Sequence, residues 1–279
     1  MNSLLWEILS AQLTPSEAHW LEEKGAAEPL ELMTAFVAAP RFLAKRTVKP
    51  TVKQTVELNE TLPGFSVEDW GIVRLSRVWL LSCLDTVNKE SYCRHIGTLF
   101  DTAEMNELVA LYSSLAMLDY PEKWLFRATD AVRSNMGVVF DAIALRNPYP
   151  AQHFTELAWN QLVLKTIFND KPIHFIVGLE DRVNENLAFT LSDFAHERWA
   201  AGRTVPAQVW RLVSKFLNAE LLSDIEHLFN SQSVHDQQAA ALTCYHSDYE
   251  PAKQLLEKYP DLEKTVHNNQ LTWTHLELY

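Results

Sequence analysis

The most constraining feature of the sequence is a close succession of amphipathic helical segments between residues 66 and 259. Apolar residues recur there at the spacing of a helix, and proline stands near the start of several segments. Only 7 glycines occur among 279 residues, which favours helices because sheets need glycine in turns and bulges. The short connections indicate antiparallel helical hairpins. We predict an all-α fold, a HEAT-like solenoid of hairpins forming a right-handed superhelix.

One stretch, residues 47–66, departs from the helical pattern. Its alternation of Val and Thr is typical of a strand, and Pro50 and Pro63 bracket it. We therefore predict an extended connector here. It would join N-terminal helices over residues 1–46 to a helical-repeat domain over residues 67–279, with the two parts packing as one unit.

Composition narrows the classes of function. The chain has 24 Lys and Arg against 36 Asp and Glu, a net charge of −12, which argues against a nucleic-acid partner. The start of the chain lacks the basic region of a signal peptide. The most apolar window, residues 72–84, contains Arg74 and Arg77, so no membrane span is predicted. We expect a cytoplasmic protein without a cofactor, since neither a phosphate-binding loop nor a dinucleotide fingerprint is present.

Several polar residues fall on helix faces that are otherwise apolar, or directly beside them. They are Asp101, Glu104, Asn135, Arg146, Asn147, Asn160 and Arg198. A buried arginine is costly unless carboxylates and further acceptors meet it. We therefore predict that Arg146 and Arg198 meet Asp101 and Glu104, or that they meet a ligand, with the asparagines adding hydrogen bonds. A structural ion-pair network and a ligand-binding cluster are the two alternatives.

A second group of polar residues shares one face of the helix predicted over residues 187–201. Asp193, His196 and Glu197 stand one turn apart there, and Arg203 follows the helix. An acid with a histidine one turn on can bind a metal when the motif occurs in pairs, but the sequence has no second copy, so no metal is predicted. A solvated face is the simpler interpretation, and a groove for a polar ligand is the alternative.

Four longer sequence segments resemble the EboA-domain family, and the resemblance covers roughly residues 66–259. They are LFDTAEMNELVALY (99–112), RSNMGVVFDAIALRNPYP (133–150), AWNQLVLKTIF (158–168) and LSDFAHERWAAGRTV (191–205). The resemblance implies a place in a bacterial gene cluster whose enzymes make or move a small prenylated polyol-type metabolite. Neighbouring enzymes in such clusters resemble a prenyltransferase, a sugar-phosphate cyclase and metal-dependent hydrolases or isomerases. The family implies no catalytic residues.

Three functions are compatible with these observations. The first is a helical-repeat adaptor or small-ligand carrier, whose partners are other enzymes of the cluster or a small polar metabolite. The second is an enzyme of unrecognised class that acts on a phosphorylated or polyol intermediate. There Arg146, Arg198 and Arg203 would hold anionic oxygens, and Asp193, His196 or Glu197 would transfer protons. The third is a structural partner of a cluster enzyme.

Overall fold

The computed structural model describes residues 1–277, and the regular structure in that range is helical. Its α-helices are α1 (Asn2–Ser10), α2 (Pro15–Gly25), α3 (Pro29–Phe42), α4 (Val52–Thr61), α5 (Ile72–Leu81), α6 (Lys89–Thr102), α7 (Met105–Ser114), α8 (Leu125–Arg133), α9 (Gly137–Ala144), α10 (Tyr149–His153), α11 (Glu156–Phe168), α12 (Glu185–Ala200), α13 (Leu222–Phe229), α14 (Val234–Tyr245), α15 (Glu250–Leu256) and α16 (Pro260–His267). Short 3-10 helices span Leu115–Met117, Pro121–Lys123, Ile173–Phe175, Ala207–Leu212, Ser214–Phe216 and Trp273–Leu276. The prediction of an all-α fold is confirmed.

The segment predicted to be an extended connector instead contains helix α4. Thr51 and Gln54 form a capping box, in which each side chain accepts the backbone N–H of the other residue. Leu58, one turn later, is buried at 1% exposure. The prediction of an extended segment is wrong for residues 52–61. The capping box and the burial of Leu58 stabilise a helix there, and they outweigh the preference of Val and Thr for strands.

Residues 121–146 do not form one continuous helix. A 3-10 turn precedes α8, and three residues separate the end of α8 at Arg133 from the start of α9 at Gly137. Ser134 accepts the N–H of Met136 within the break, and the exposed Asn135 lies between them. Arg146, after α9, has a left-handed φ of 53°. Asn135 and Arg146 therefore do not share one continuous helical stripe.

The chain divides into two compact units. Unit 1 comprises residues 1–162 and 175–177. Its central helix is α5, which packs against α1, α3 and α7. Leu75 and Leu80 of α5 are fully buried, and so is almost all of Arg77, at 2% exposure. A charged residue thus lies inside the apolar core of this unit.

Unit 2 comprises residues 163–174 and 178 onward. Its central helix is α14, which packs against α13, α15, α16 and the 3-10 helix Ala207–Leu212. Three consecutive alanines of α14, residues 239–241, are fully buried and let these neighbours approach closely. Within residues 1–277, no helix has both the length and the apolar character that crossing a membrane requires.

Candidate functional site

The two acids predicted to lie on an apolar stripe have other partners. Asp101 is 67% exposed in its side chain and accepts a hydrogen bond from Arg127 at 2.6 Å. Glu104 caps the start of α7, and its Oε1 lies 3.5 Å from Arg77 Nη1. The predicted pairing of these acids with Arg146 is therefore wrong. Asp101 lies in the last turn of α6 and pairs with Arg127, whereas Arg146 lies after the end of α9 and pairs with Glu68 and Asp69.

Arg146 is held by a different set of contacts within unit 1. Its guanidinium lies 3.0 Å from Glu68 and 3.5 Å from Asp69, and its Cζ lies 3.9 Å from the centre of the Phe175 ring. The backbone N–H of Arg146 donates to the carbonyl of Phe175 at 2.7 Å.

Two of the predicted asparagines occupy defined places. Asn147 is buried and donates to the carbonyls of Tyr112 and Ala142 at 2.9 Å each, while its Oδ1 accepts the N–H of Tyr149 at 3.0 Å. These bonds fix the turn between α9 and α10 to helix α7. Asn160 lies half-buried on α11.

Helix α12 brings His196 to a buried carboxylate. His196 Nε2 lies 2.6 Å from Asp224 Oδ1, and Ser192 donates to Asp224 Oδ2 at 2.5 Å. Asp224 is 3% exposed, whereas the His196 side chain is 56% exposed. A carboxylate that holds one imidazole nitrogen fixes the ring and leaves the other nitrogen for proton exchange. Asp224 had no local sequence signal, since it lies 28 residues away on α13.

The remaining residues of that predicted group do not join this cluster. Asp193, Glu197 and Arg203 are exposed, as expected for a solvated helix face. Across residues 1–277, no set of three or more His, Cys, Asp or Glu side chains is arranged to hold a metal ion.

Arg198 lines a cavity of about 550 Å³ that lies wholly within unit 2. Its Nε donates to the carbonyl of Thr204, and its Cζ lies 5.4 Å from the centre of the Phe194 ring. The partners of Arg198 are therefore a carbonyl and a ring, where Asp101 and Glu104 or a ligand were predicted. Polar groups of several kinds share the cavity wall with it: His174, Gln208, Ser233, His235 and Asp236.

Parts of this wall are fixed by hydrogen bonds. Gln208 is buried, donates to the Trp273 carbonyl at 2.8 Å and accepts from Arg211 Nη1 at 2.8 Å. Asp236 accepts from Ser231 at 2.7 Å. Further charged residues, Asp170, Lys171 and Glu277, also line the cavity, and isoleucine, valine, proline and alanine side chains form its apolar surface. The cavity thus combines rigid polar groups with apolar surface, as small-molecule sites do.

A second cavity, of about 620 Å³, lies wholly within unit 1. Lys45, Arg46, Arg74 and Arg77 line it, and the start of α5 forms part of its wall. Arg77 donates to the Phe36 carbonyl at 2.9 Å and to Glu107 at 3.2 Å. Burial lowers the pKa of Arg77, although the charges of Glu107 and Glu104 oppose that shift.

Arg46, also at this cavity, is bound to a buried acid of α2. Its two terminal nitrogens lie 2.7 and 3.2 Å from the carboxylate oxygens of Glu17. The hydrogen bond from Arg46 lowers the pKa of Glu17 to about 2, and N–H groups of Ala44 and Thr14 act in the same direction. Arg46 is therefore held in a fixed position by Glu17.

The fold and its cavities define a class: a helical protein with a separate cavity in each of its two units. A family model described as "Metabolite traffic protein EboA" matches residues 1–214, so the chain belongs to the EboA family. That description fits a carrier or an adaptor, and the resemblance found in the sequence is confirmed. The matched range contains the whole lining of the unit 1 cavity. No curated protein and no solved structure was found to match the chain.

Proposed function

We propose that the protein binds a small polar metabolite and passes it between enzymes without converting it. The observation that carries the proposal is the unit 2 cavity, whose wall carries both donor groups, such as Arg198, and acceptor groups, such as Asp236. A polyol needs both kinds of partner, because each hydroxyl donates one hydrogen bond and accepts others. The apolar part of the wall suits an attached hydrocarbon group.

The wider context of the proposal comes from the family. We infer that the metabolite is a prenylated polyol-type compound, and that the partners are enzymes of one bacterial secondary-metabolite biosynthesis or export cluster in the cytoplasm. The proposal includes a HEAT-like solenoid of helical hairpins forming a right-handed superhelix, since helical repeats offer concave surfaces to partners. Membership in a family described as metabolite traffic proteins supports the carrier role.

Ligand capture from a metabolite extract tests the carrier role. The full-length protein is incubated with a small-molecule extract of its source cells, washed by gel filtration and denatured, and the released compounds are identified by mass spectrometry. We expect wild type to retain a polar compound that Arg198→Gln loses. Lys253→Gln is the matched control, because Lys253 is an exposed cation of the same unit and does not line the cavity.

The outcomes separate a carrier from other functions. Equal retention by wild type and Arg198→Gln, or retention of nothing by either, would contradict the proposal. Release of a compound in chemically altered form would identify an enzyme instead.

A specific observation favours that second function, an enzyme acting on a phosphorylated or polyol intermediate. Asp224 holds the exposed His196 ring at 2.6 Å, which suits His196 for proton transfer. Arg203 would bind anionic oxygens, and Asp193 or Glu197 would assist as acid or base. In that case His196→Gln should abolish conversion in an extract while ligand retention persists. Glu185→Gln, an exposed position in the first turn of the same helix, controls for loss of surface charge.

A further inference from the structure

The unit 1 cavity has an excess of positive charge that its own acids do not balance. Four cationic side chains line it, Lys45, Arg46, Arg74 and Arg77, against one carboxylate, Glu104. The chain as a whole carries a net charge of −12, so a local excess of this kind is unusual for it. We propose that this cavity binds the phosphate group of a small phosphate monoester, at a site separate from the unit 2 cavity.

Two of the four cations are already neutralised. Arg46 is bound by Glu17, and Arg77 lies within 3.2 Å of Glu107 and 3.5 Å of Glu104. Their partners also hold them in place, so they form a rigid part of the wall whose charge is compensated. The charge available to a ligand must come from the other two cations.

Arg74 is the central group of the site. Its Nε donates to Ser113 Oγ at 3.0 Å, and its Cζ lies 4.0 Å from the centre of the Trp70 ring. Within the described part of the chain, no carboxylate forms an ion pair with it. The two contacts orient the guanidinium and leave its terminal N–H groups, which are the pair that binds two oxygens of a phosphate side by side.

The environment of Arg74 shows how poorly its charge is compensated. Burial lowers the pKa of Arg74 to about 9, and the charge of Asp141 counteracts only part of that effect. An anion placed against the guanidinium would restore the electrostatic stabilisation that burial removes.

Further donors lie around the same space. Lys45 is exposed, and no acceptor for its ammonium is found among residues 1–277. Gly71 precedes α5 and has no side chain to cap it, while the Ile72 N–H donates to the Arg46 carbonyl at 2.8 Å. The next N–H groups of the first turn, those of Val73 and Arg74, have no intrahelical acceptor, and such groups favour an anion.

The number of donors around the space selects the ligand. The four cations face three carboxylates, Glu17, Glu104 and Glu107, so the group keeps a net positive charge. A phosphate monoester brings three strong acceptor oxygens, which match the terminal N–H groups of Arg74, the ammonium of Lys45 and the N–H groups of the first turn, whereas a carboxylate brings two. The cavity volume of about 620 Å³ leaves room for the rest of a small molecule beside the phosphate.

Isothermal titration of the full-length protein with glycerol 3-phosphate and with inorganic phosphate tests the proposal, at constant ionic strength maintained with sodium chloride. We expect saturable binding of glycerol 3-phosphate at least as tight as that of inorganic phosphate. Arg74→Gln should weaken it about tenfold or more, the loss of one charge-assisted hydrogen-bonded contact. Lys45→Gln should weaken it about threefold to fivefold, because an exposed cation is partly screened.

Two control variants locate the site. Lys53→Gln removes an exposed cation of unit 1 that does not line the cavity, and Lys253→Gln removes an exposed cation of unit 2 that lines neither cavity. Both should bind glycerol 3-phosphate as wild type does. Lys45 is exposed, so its variant keeps the test valid even if Arg74→Gln fails to fold. Absence of saturable binding, binding of inorganic phosphate only, or equal weakening by Lys45→Gln and Lys53→Gln would overturn the proposal. The carrier experiment depends on Arg198, which lies in the other cavity. A negative result in the titration with glycerol 3-phosphate would therefore not affect the carrier proposal.

Discussion

The two units each contain a polar cavity of similar volume, about 620 Å³ in unit 1 and about 550 Å³ in unit 2, yet they hold their arginines differently. In unit 1, Arg77 is buried in the core and bonded to the Phe36 carbonyl and Glu107. In unit 2, Arg198 is only partly buried near the end of α12 and bonded to the Thr204 carbonyl.

In unit 1, the arginine at the cavity also stabilises the core, so binding and stability depend on the same residue. In unit 2, the arginine at the cavity is partly exposed, so binding and stability depend on different residues. A cavity wall made of core ion pairs cannot be changed without exposing buried charge to an apolar environment. A wall made of partly exposed side chains can be changed at little cost to folding. The substitutions below test this contrast, starting with the largest expected effect.

Arg77→Met should be the most destabilising change. Glu107 is 5% exposed and would lose the cation beside it, and the Phe36 carbonyl would lose its donor. Breaking a buried ion pair from one side costs about 3–5 kcal/mol. Chemical denaturation measures the free energy of unfolding. Arg94→Met is the control, because the Arg94 side chain is 66% exposed and should change stability by less than about 0.5 kcal/mol.

A double substitution distinguishes loss of the pair from loss of packing. Arg77→Met combined with Glu107→Leu removes both charges and should recover much of the lost stability, since an apolar replacement of a buried pair is often neutral. If the double variant is no more stable than Arg77→Met alone, the buried carboxylate is not the cause of the loss.

The second expected effect depends on pH and concerns Glu17. Its folded-state pKa of about 2 lies below the ordinary value of 4.5. Glu17 therefore stabilises the fold above about pH 5, and this contribution is lost as the pH falls towards 2. At pH 7, Glu17→Gln should lower the free energy of unfolding by on the order of 2 kcal/mol. This loss is smaller than the full pKa shift implies, because Arg46 is partly exposed and solvent screens its charge.

Denaturation of both proteins at pH 7 and pH 3 provides the measurement. The gap between wild type and Glu17→Gln should narrow at pH 3. A gap that stays constant would show that hydrogen-bond geometry, not the charge of Glu17, holds the wall of the unit 1 cavity.

Local signals in the sequence predicted the fold class, and contacts between distant residues decided the sites. Proline positions and apolar spacing predicted the helices, but α4 was missed because its Val and Thr residues favour strands. Arg74 and Arg77 stood out in the apolar window 72–84 only as an argument against a membrane span. Their roles depend on Ser113 and Glu107, more than 29 residues away, and periodicity on one helix does not report such partners.

An intermediate effect is expected for Asp224→Asn in unit 2. Asp224 accepts hydrogen bonds at both oxygens, from Ser192 and His196, and the amide can keep only one of them in the same geometry. We expect a loss of about 1–2 kcal/mol in the free energy of unfolding. Asp193→Asn, on the exposed face of α12, should be neutral. Equal stability of the two variants would show that the hydrogen bonds of Asp224 do not stabilise unit 2.

The smallest effect on stability should come from Arg198→Ala, contrary to what burial in an ion-pair network would require. Its side chain is only partly buried, and its hydrogen bond goes to the Thr204 carbonyl, which water can satisfy after the substitution. We expect a loss below about 1 kcal/mol by chemical denaturation, together with loss of the compound retained from the extract. A drop comparable to that of Arg77→Met would mean that both cavities are built from structural charges. If Arg198→Ala has wild-type stability and retains the compound undiminished, the ligand of unit 2 does not bind Arg198.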